Sequence, residues 1–487
     1  MGTEAGAGEN KSQGQVLAEK LTFDLKNCWD TAAPEELPKI REFAEGYKAF
    51  LDRGKTEREF VGQCLEVLRR EGFVAIETLL KEAGKLPPGT KVYQNIRGKS
   101  LVCAVIGRSG PDAGFNILGA HVDSPRIDLK TNPLYEDAGF ALFDSHYYGG
   151  IKYYQWTAMP LAMHGTVIDR EGKKVSIRIG EDEGDPVFTI TDLLPHLARD
   201  QMQKKAAEFF DGEALNILAG SEPFRDDKAK DRVKLKLLSL LHEKYGLVEE
   251  DFAGAEFEFV PAFKARDIGL DRSMIGAYGH DDRCCAYPVF QALLYFAAPA
   301  EIPEKTVICL LTDKEEIGSV GNTGAQSRLF ENFAAYLCSK TTEHYSELAL
   351  RLSLGNSSML SADVNAAYDP NFDSVYDKKN ASYFGKGIGL SKYTGRGGKV
   401  GGSEANAEFC QKVQGIFNKN GIRWQFGDLG KVDQGGGGTI ALFVASLGVE
   451  VLDCGIPVLS MHSPFEVISK IDLYTAYRGY IAFLREA

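Results

Sequence analysis

The chain has 487 residues, of which 44% are hydrophobic, and a formal charge of −12 at pH 7. This length suits roughly two to four domain-sized units or one elaborate domain with an insertion, and such a core needs no disulfide or metal merely to fold. The acidic balance argues against a general polyanion binder, so no nucleic-acid partner is expected.

The first stretch, residues 1–15, is MGTEAGAGENKSQGQ. It is Gly- and Glu-rich, reads as a flexible tail, and lacks the apolar h-region of a secretory signal. No apolar run approaches the ~18 residues that a membrane helix requires, so no membrane partner is expected. The nine cysteines are an odd number without a CxxC pair. Cys103 and Cys309 sit in apolar runs and Cys284 adjoins Cys285, which suits buried thiols in a reducing cytoplasm.

From about residue 36 to 85 the pattern is helical; in EREFVGQCLEVLRREG, Phe60, Cys64, Val67 and Leu68 recur on one face. Two strand-like runs follow, KSLVCAVIG and FNILGAHVDS. Between about 131 and 265 the character changes. AMHGTVID, KVSIRIGE and AEFEFVPAF read as strands, interrupted by the helix RVKLKLLSLLHEKYG. This predicts a β-rich insertion over 131–265 between two parts of one α/β unit, 16–130 and 266–487. In the second part, TVICLLT, MLSADV and GVEVLDCG alternate with helices. One of these, SEANAEFCQKVQGIFNKNG, is expected to be capped by Ser403 and stopped at Gly421. Such alternation predicts an α/β fold, a sheet with helices on both faces and working residues at strand ends.

Five places put a His, Asp or Glu at or just after an apolar strand or before a helix: His121 and Asp123, Asp281 and Asp282, Glu315 and Glu316, Asp363, and His462. Taken singly, each such carboxylate is more often a cap or surface charge, and a lone His is more often a satisfied side chain. The joint pattern carries the weight. Imidazoles with carboxylates and no cysteine suit Zn²⁺, with Co²⁺ or Mn²⁺ as alternatives, in a catalytic rather than structural site. One carboxylate can bridge two metals and clamp a hydrolytic water. In the Glu315–Glu316 pair, one can bind metal while the other takes a proton. Asp123 can hold the tautomer of His121.

GAHVDSPR, GHDDR, DKEEIGSVG, SADVNAAYDPNF and MHSPFE, in this order, resemble the M18 family of metallo-aminopeptidases, which includes the aspartyl aminopeptidases. The resemblance extends over most of the chain beyond the tail. It implies a zinc-exopeptidase type of mixed sheet flanked by helices, interrupted by a β-rich dimerisation domain. It also implies two zinc ions per subunit. His121 and Asp363 would join one, His462 and Glu316 the other, with Asp281 bridging, Asp282 following in a strained turn, Glu315 as general base and Asp123 orienting His121.

His196, in DLLPHLARD, resembles a family histidine that reaches a neighbouring subunit's active site and steadies an oxyanion. Family members form hollow dodecamers, so small peptides are the expected substrates. Aspartyl members carry Phe-Asp-Arg after a tryptophan, whereas Thr157, Ala158 and Met159 follow Trp156 here, which points to a bacterial branch and leaves an acidic preference open. Lys386, in FGKG, is either a partner for an acidic side chain or a surface lysine. TGRGGKVGGS does not fit a phosphate loop, and Gly435 to Gly438 are candidates to shape the substrate pocket. The other readings are a carboxypeptidase or amide deacylase on the same sheet, and a non-catalytic assembly protein.

Overall fold

The computed structural model describes residues 11–487. Residues 1–10 of the expected tail lie outside the described residues. Its last part is not a tail. Ser12 accepts from Gln15 N while the Gln15 side chain accepts from Ser12 N, a capping box that starts the helix Gln13–Leu21.

The alternating apolar pattern of the strands builds the main sheet from the inside. Leu101, Cys103 and Val105 face one core cluster, while Val102 and Ala104 face another on the opposite side. Among the described residues this sheet has nine strands. Their order is Val74–Ala75, Lys91–Ile96, Ser100–Val105, Thr306–Thr312, Phe115–His121, Ser358–Ser361, Glu450–Gly455, Ile388–Ser391 and Trp424–Phe426. The run from Thr306–Thr312 to Glu450–Gly455 is parallel, and the flanking pairs are mixed. One face is covered by the helices Glu36–Arg53, Glu57–Arg70, His280–Tyr295 and Lys470–Glu486, which contribute Tyr47, Phe60, Phe290 and Phe483. The other takes Phe333 and Leu337 from Leu329–Thr341, and Leu350 from Glu347–Gly355. This is the α/β architecture expected. All nine cysteines are free and buried.

A second sheet is antiparallel throughout. It comprises Lys174–Ile179, Leu161–Ile168, Glu256–Pro261, Arg126–Asp137, Phe140–Tyr148, Ile217–Gly220 and Thr189–Ile190, in that order. It has its own core around Phe143, Trp156 and Phe259, closed by Val233 and Leu241 of the helix Arg232–Tyr245. The sheet starts at Arg126, ahead of the expected 131, because Arg126 and Ile127 already pair with Tyr148 and Tyr147.

A third, five-stranded sheet joins Arg266–Ile268, Met274–Ala277, Glu466–Ser469, Pro457–Leu459 and Asn365–Ala366. It brings the segments before Asp281 and around His462 together. One helix start differs from expectation. The helix is Ala407–Lys419 with Asn406 at its N-cap, not Ser403. Ser403 N–H donates to Thr394 Oγ1 and Tyr393 bridges Glu404, so this stretch is held extended.

Candidate metal centre

In the parallel core of the main sheet, Thr312 lies opposite His121 and Ser361 opposite Gly119. The carboxyl ends of three neighbouring strands therefore open at one edge, where a parallel sheet places its working residues. His121 ends the first, Glu315 and Glu316 follow the second, and Asp363 follows the third. Asp281 enters from the start of the helix His280–Tyr295, where Asp281 and Asp282 have non-helical backbone angles and are joined by a cis peptide. His462 comes from the turn before Glu466–Ser469.

Asp281 sits between the two histidines. Its Oδ1 is 3.1 Å from His121 Nε2, and its Oδ2 is 3.3 Å from His462 Nε2. Glu316 Oε2 is 3.4 Å from His462 Nε2. Glu315 Oε2 lies 4.0 Å from His121 Nε2, and Asp363 completes a group with these two whose ligand atoms lie within 4.8 Å of one another. Each imidazole is steered from behind. His121 Nδ1 faces the Asp123 carbonyl oxygen at 3.1 Å and Asp123 Oδ1 at 3.3 Å. His462 Nδ1 lies 2.9 Å from the Gly150 carbonyl oxygen. Both partners of Nδ1 are acceptors, so that nitrogen carries a proton and Nε2 is the ring atom turned toward the centre.

The carboxylates fit a cation better than they fit one another. Glu316 Oε1 is buried without any hydrogen-bond partner, and buried Asp281 Oδ1 has only the misaligned contact with His121 Nε2. Burial pushes the Glu315 carboxyl up to about 7, against the charge of His121. It raises Glu316 and Asp363 well above the usual carboxylate range, reinforced for each by Asp281. Burial disfavours the His462 imidazolium, yet the hydrogen bond to Asp281 and the charge of Glu316 raise it to about 11. A dry cluster of this sign ionises fully only around a compensating cation, and its nitrogen–oxygen donors are those zinc accepts.

Several functional neighbours escaped sequence reading. Buried Glu466 accepts from Asp281 N at 3.1 Å and from His462 N at 2.8 Å, holding both segments by their backbones. It belongs to MHSPFE, which was the available signal. Asp282, by contrast, was singled out in the sequence beside Asp281, and its Oδ2 accepts from His121 N at 3.2 Å. Tyr148 donates to Asp123 Oδ2 at 2.8 Å.

The centre opens into a cavity of about 550 Å³. Gly435 to Gly438 line it, as do Lys399 and Lys431. A Cβ on Gly435 would meet the Leu429 carbonyl oxygen at 1.7 Å, and Gly436 has φ of +126°, so this wall requires glycine. Lys386 is not part of the lining. Its ammonium is donated to the Leu25 carbonyl oxygen, and its turn is pinned by Asp472, which accepts from Gly385 N and Gly387 N. Of the two readings of Lys386, the one beside the substrate is set aside by these contacts. His196 is exposed in the 191–200 stretch and does not line the cavity of its own chain.

Histidines and carboxylates at the carboxyl ends of the parallel run of a helix-covered mixed sheet, gathered about one aspartate, are the donor set of a metallohydrolase. A family model described as aminopeptidase I zinc metalloprotease (M18) matches residues 50–484, and the chain belongs to that family. Probable M18 family aminopeptidase 1 of Clostridium acetobutylicum is 48% identical over 464 residues, which is 95% of this chain and 99% of the relative. The crystal structure of an M18-family aminopeptidase from Thermotoga maritima is similar with a TM-score of 0.90 at 44% identity, over 96% of this chain and 100% of that one. The S. cerevisiae mApe1 dodecamer has a similar fold, with a TM-score of 0.75 at 23% identity over 91% and 97% of the two chains. The chain is thus a metallo-aminopeptidase of a zinc-dependent family, which decides against the carboxypeptidase, deacylase and non-catalytic readings.

Proposed function

We propose that this aminopeptidase releases N-terminal residues at a centre of two zinc ions. His121, Asp363 and Asp281 would hold one ion, and His462, Glu316 and Asp281 the other. The observation that carries this reading is Asp281, which turns one carboxylate oxygen toward each imidazole Nε2, at 3.1 and 3.3 Å. Bound zinc supplies a Lewis acid for the scissile carbonyl and stabilises the charge that develops on it. Co²⁺ or Mn²⁺ suits the same donors.

Glu315 is the general base. It takes the proton of the attacking water and returns it to the leaving amine. Asp123 holds this residue and its neighbour by accepting from Glu315 N at 3.1 Å and Glu316 N at 3.2 Å. A carboxylate beside the centre binds the free α-amine of the peptide. Selection of the N-terminal side chain falls to the cavity wall, where Lys399 and Lys431 lie near Leu429, Val432 and Phe443. Both ammonium groups are already engaged, Lys399 with Glu404 at 2.9 Å and Lys431 with the Ser374 carbonyl oxygen at 2.7 Å, so an acidic preference would require one of them to exchange partners.

His196 acts in trans, presented by one copy to the oxyanion in another, within a homo-oligomer that admits small peptides. Its exposure and the dodecameric yeast relative support this. The buried free thiols support a cytoplasmic setting, and no helix among the described residues is long and apolar enough to cross a membrane.

The test is release of the first residue from matched free and N-acetylated peptides by the zinc-loaded protein. Cleavage of the free peptides alone is expected. Equal cleavage of both would contradict recognition of the α-amine.

A further inference from the structure

The strand Phe140–Tyr148 belongs to the second sheet, yet its last residue reaches the metal centre. Tyr148 is buried, and its hydroxyl donates to Asp123 Oδ2 at 2.8 Å. Its ring is held by the Arg126 guanidinium, 4.0 Å from the ring centroid. Arg126 is in turn fixed by Asp128 at 2.8 Å, Glu57 at 3.1 Å and Glu258 at 3.3 Å. Asp123 is where this support converges. Its Oδ1 accepts from Glu315 N and faces His121 Nδ1, while its Oδ2 accepts from Glu316 N and from Tyr148. Without the phenol, Oδ2 keeps only one of its two donors, and the carboxylate plane is less well defined. The same segment reaches the other imidazole, because Gly150 supplies the carbonyl oxygen that faces His462 Nδ1.

We propose that Tyr148 is a positioning residue for the zinc centre, fixing the Asp123 carboxylate that orients His121 and holds Glu315 and Glu316. The second sheet thereby sets the geometry of a site built on the first. This inference rests on the roles given above to Asp123 and His121.

Tyr148→Phe removes the hydroxyl and keeps the ring beneath Arg126. Zinc affinity is measured by competition with a chromophoric chelator, alongside kcat, KM and the unfolding midpoint of the metal-free protein. Loss of a group that supports a metal ligand weakens binding by about 10- to 100-fold, and Tyr148, which acts on His121 through Asp123, falls at the lower end of that range. Tyr148→Phe should show that loss and a lower kcat at little-changed KM, with a metal-free midpoint close to that of wild type. Tyr147→Phe, at an exposed neighbouring position, should match wild type throughout. On an Asp123→Asn background, Tyr148→Phe should cost nothing further, because residues that act through one another are not additive. Wild-type zinc affinity in Tyr148→Phe, with weak binding in Asp123→Asn, would overturn the inference, as would losses that simply multiply. If Asp123→Asn itself bound zinc normally, the orienting role of Asp123 would fall first and this inference with it.

Discussion

Glu315 and Glu316 are adjacent, and the proposed division of work between them rests on their different surroundings. Both line the cavity, but the Glu316 side chain is 3% exposed and lies against His462, whereas that of Glu315 is 17% exposed and lies 4.0 Å from His121 Nε2. Glu315→Gln should therefore keep its zinc while turnover falls at least about 10²-fold, the loss expected for a general base. His121→Ala and Asp281→Asn should instead lose zinc, and elemental analysis beside peptide turnover separates the two behaviours. Near-normal turnover in Glu315→Gln would remove it from the role of base. The candidate ligands were legible in the sequence because each follows a recognisable apolar strand or opens a helix. The groups behind them were not. Gly150 acts through a carbonyl that every residue possesses, and Tyr148 reads in sequence as one more strand aromatic. Lys386 stayed open between two readings for the converse reason, since a charge in a Gly-rich turn carries no sign of which way it points.

At the scale of elements, the start of the helix Glu57–Arg70 is wedged against the second sheet by buried charges. Lys55 Nζ lies 2.7 Å from Glu181 and donates to the Pro261 carbonyl oxygen, while Arg58 and Lys99 grip Glu256 at 2.6 and 2.8 Å. Burial alone would raise the Glu256 carboxyl, but the hydrogen bonds from Arg58 and Lys99 outweigh it and hold the group at about 2 rather than the ordinary 4.5. A lowered carboxyl contributes stability that is present above 4.5 and is lost as pH falls toward 2. Unfolding midpoints followed across that range should thus fall less steeply in Glu256→Gln than in wild type. Equal slopes would deny the pairing an energetic role. Helices and strands with clear periodicity were legible here, whereas the start of the second sheet was not. Arg126 follows closely on His121 and Asp123 of the metal centre, and only pairing with Tyr148 assigns it to the other sheet. Ser403 failed as a cap because Thr394, distant by a loop, engages its backbone first.

For the whole molecule, the 191–200 stretch presents Leu193, Leu194 and Leu197 to solvent around His196. Sequence supplied a role for this segment only by resemblance, since contacts between copies leave no periodicity to read. If His196 serves a neighbouring copy, His196→Ala should sediment as the wild-type assembly does and lose about 10²-fold in kcat, as for removal of an oxyanion donor. A monomeric wild type with full activity would contradict service in trans. The central claim is a peptidase built on two zinc ions sharing Asp281. Its most direct test is to strip the protein with a chelator, titrate zinc back, and follow release of the first residue from a free-amine peptide. Activity should climb to a break at two equivalents of zinc per chain. A break at one equivalent, or activity indifferent to zinc, would contradict the account.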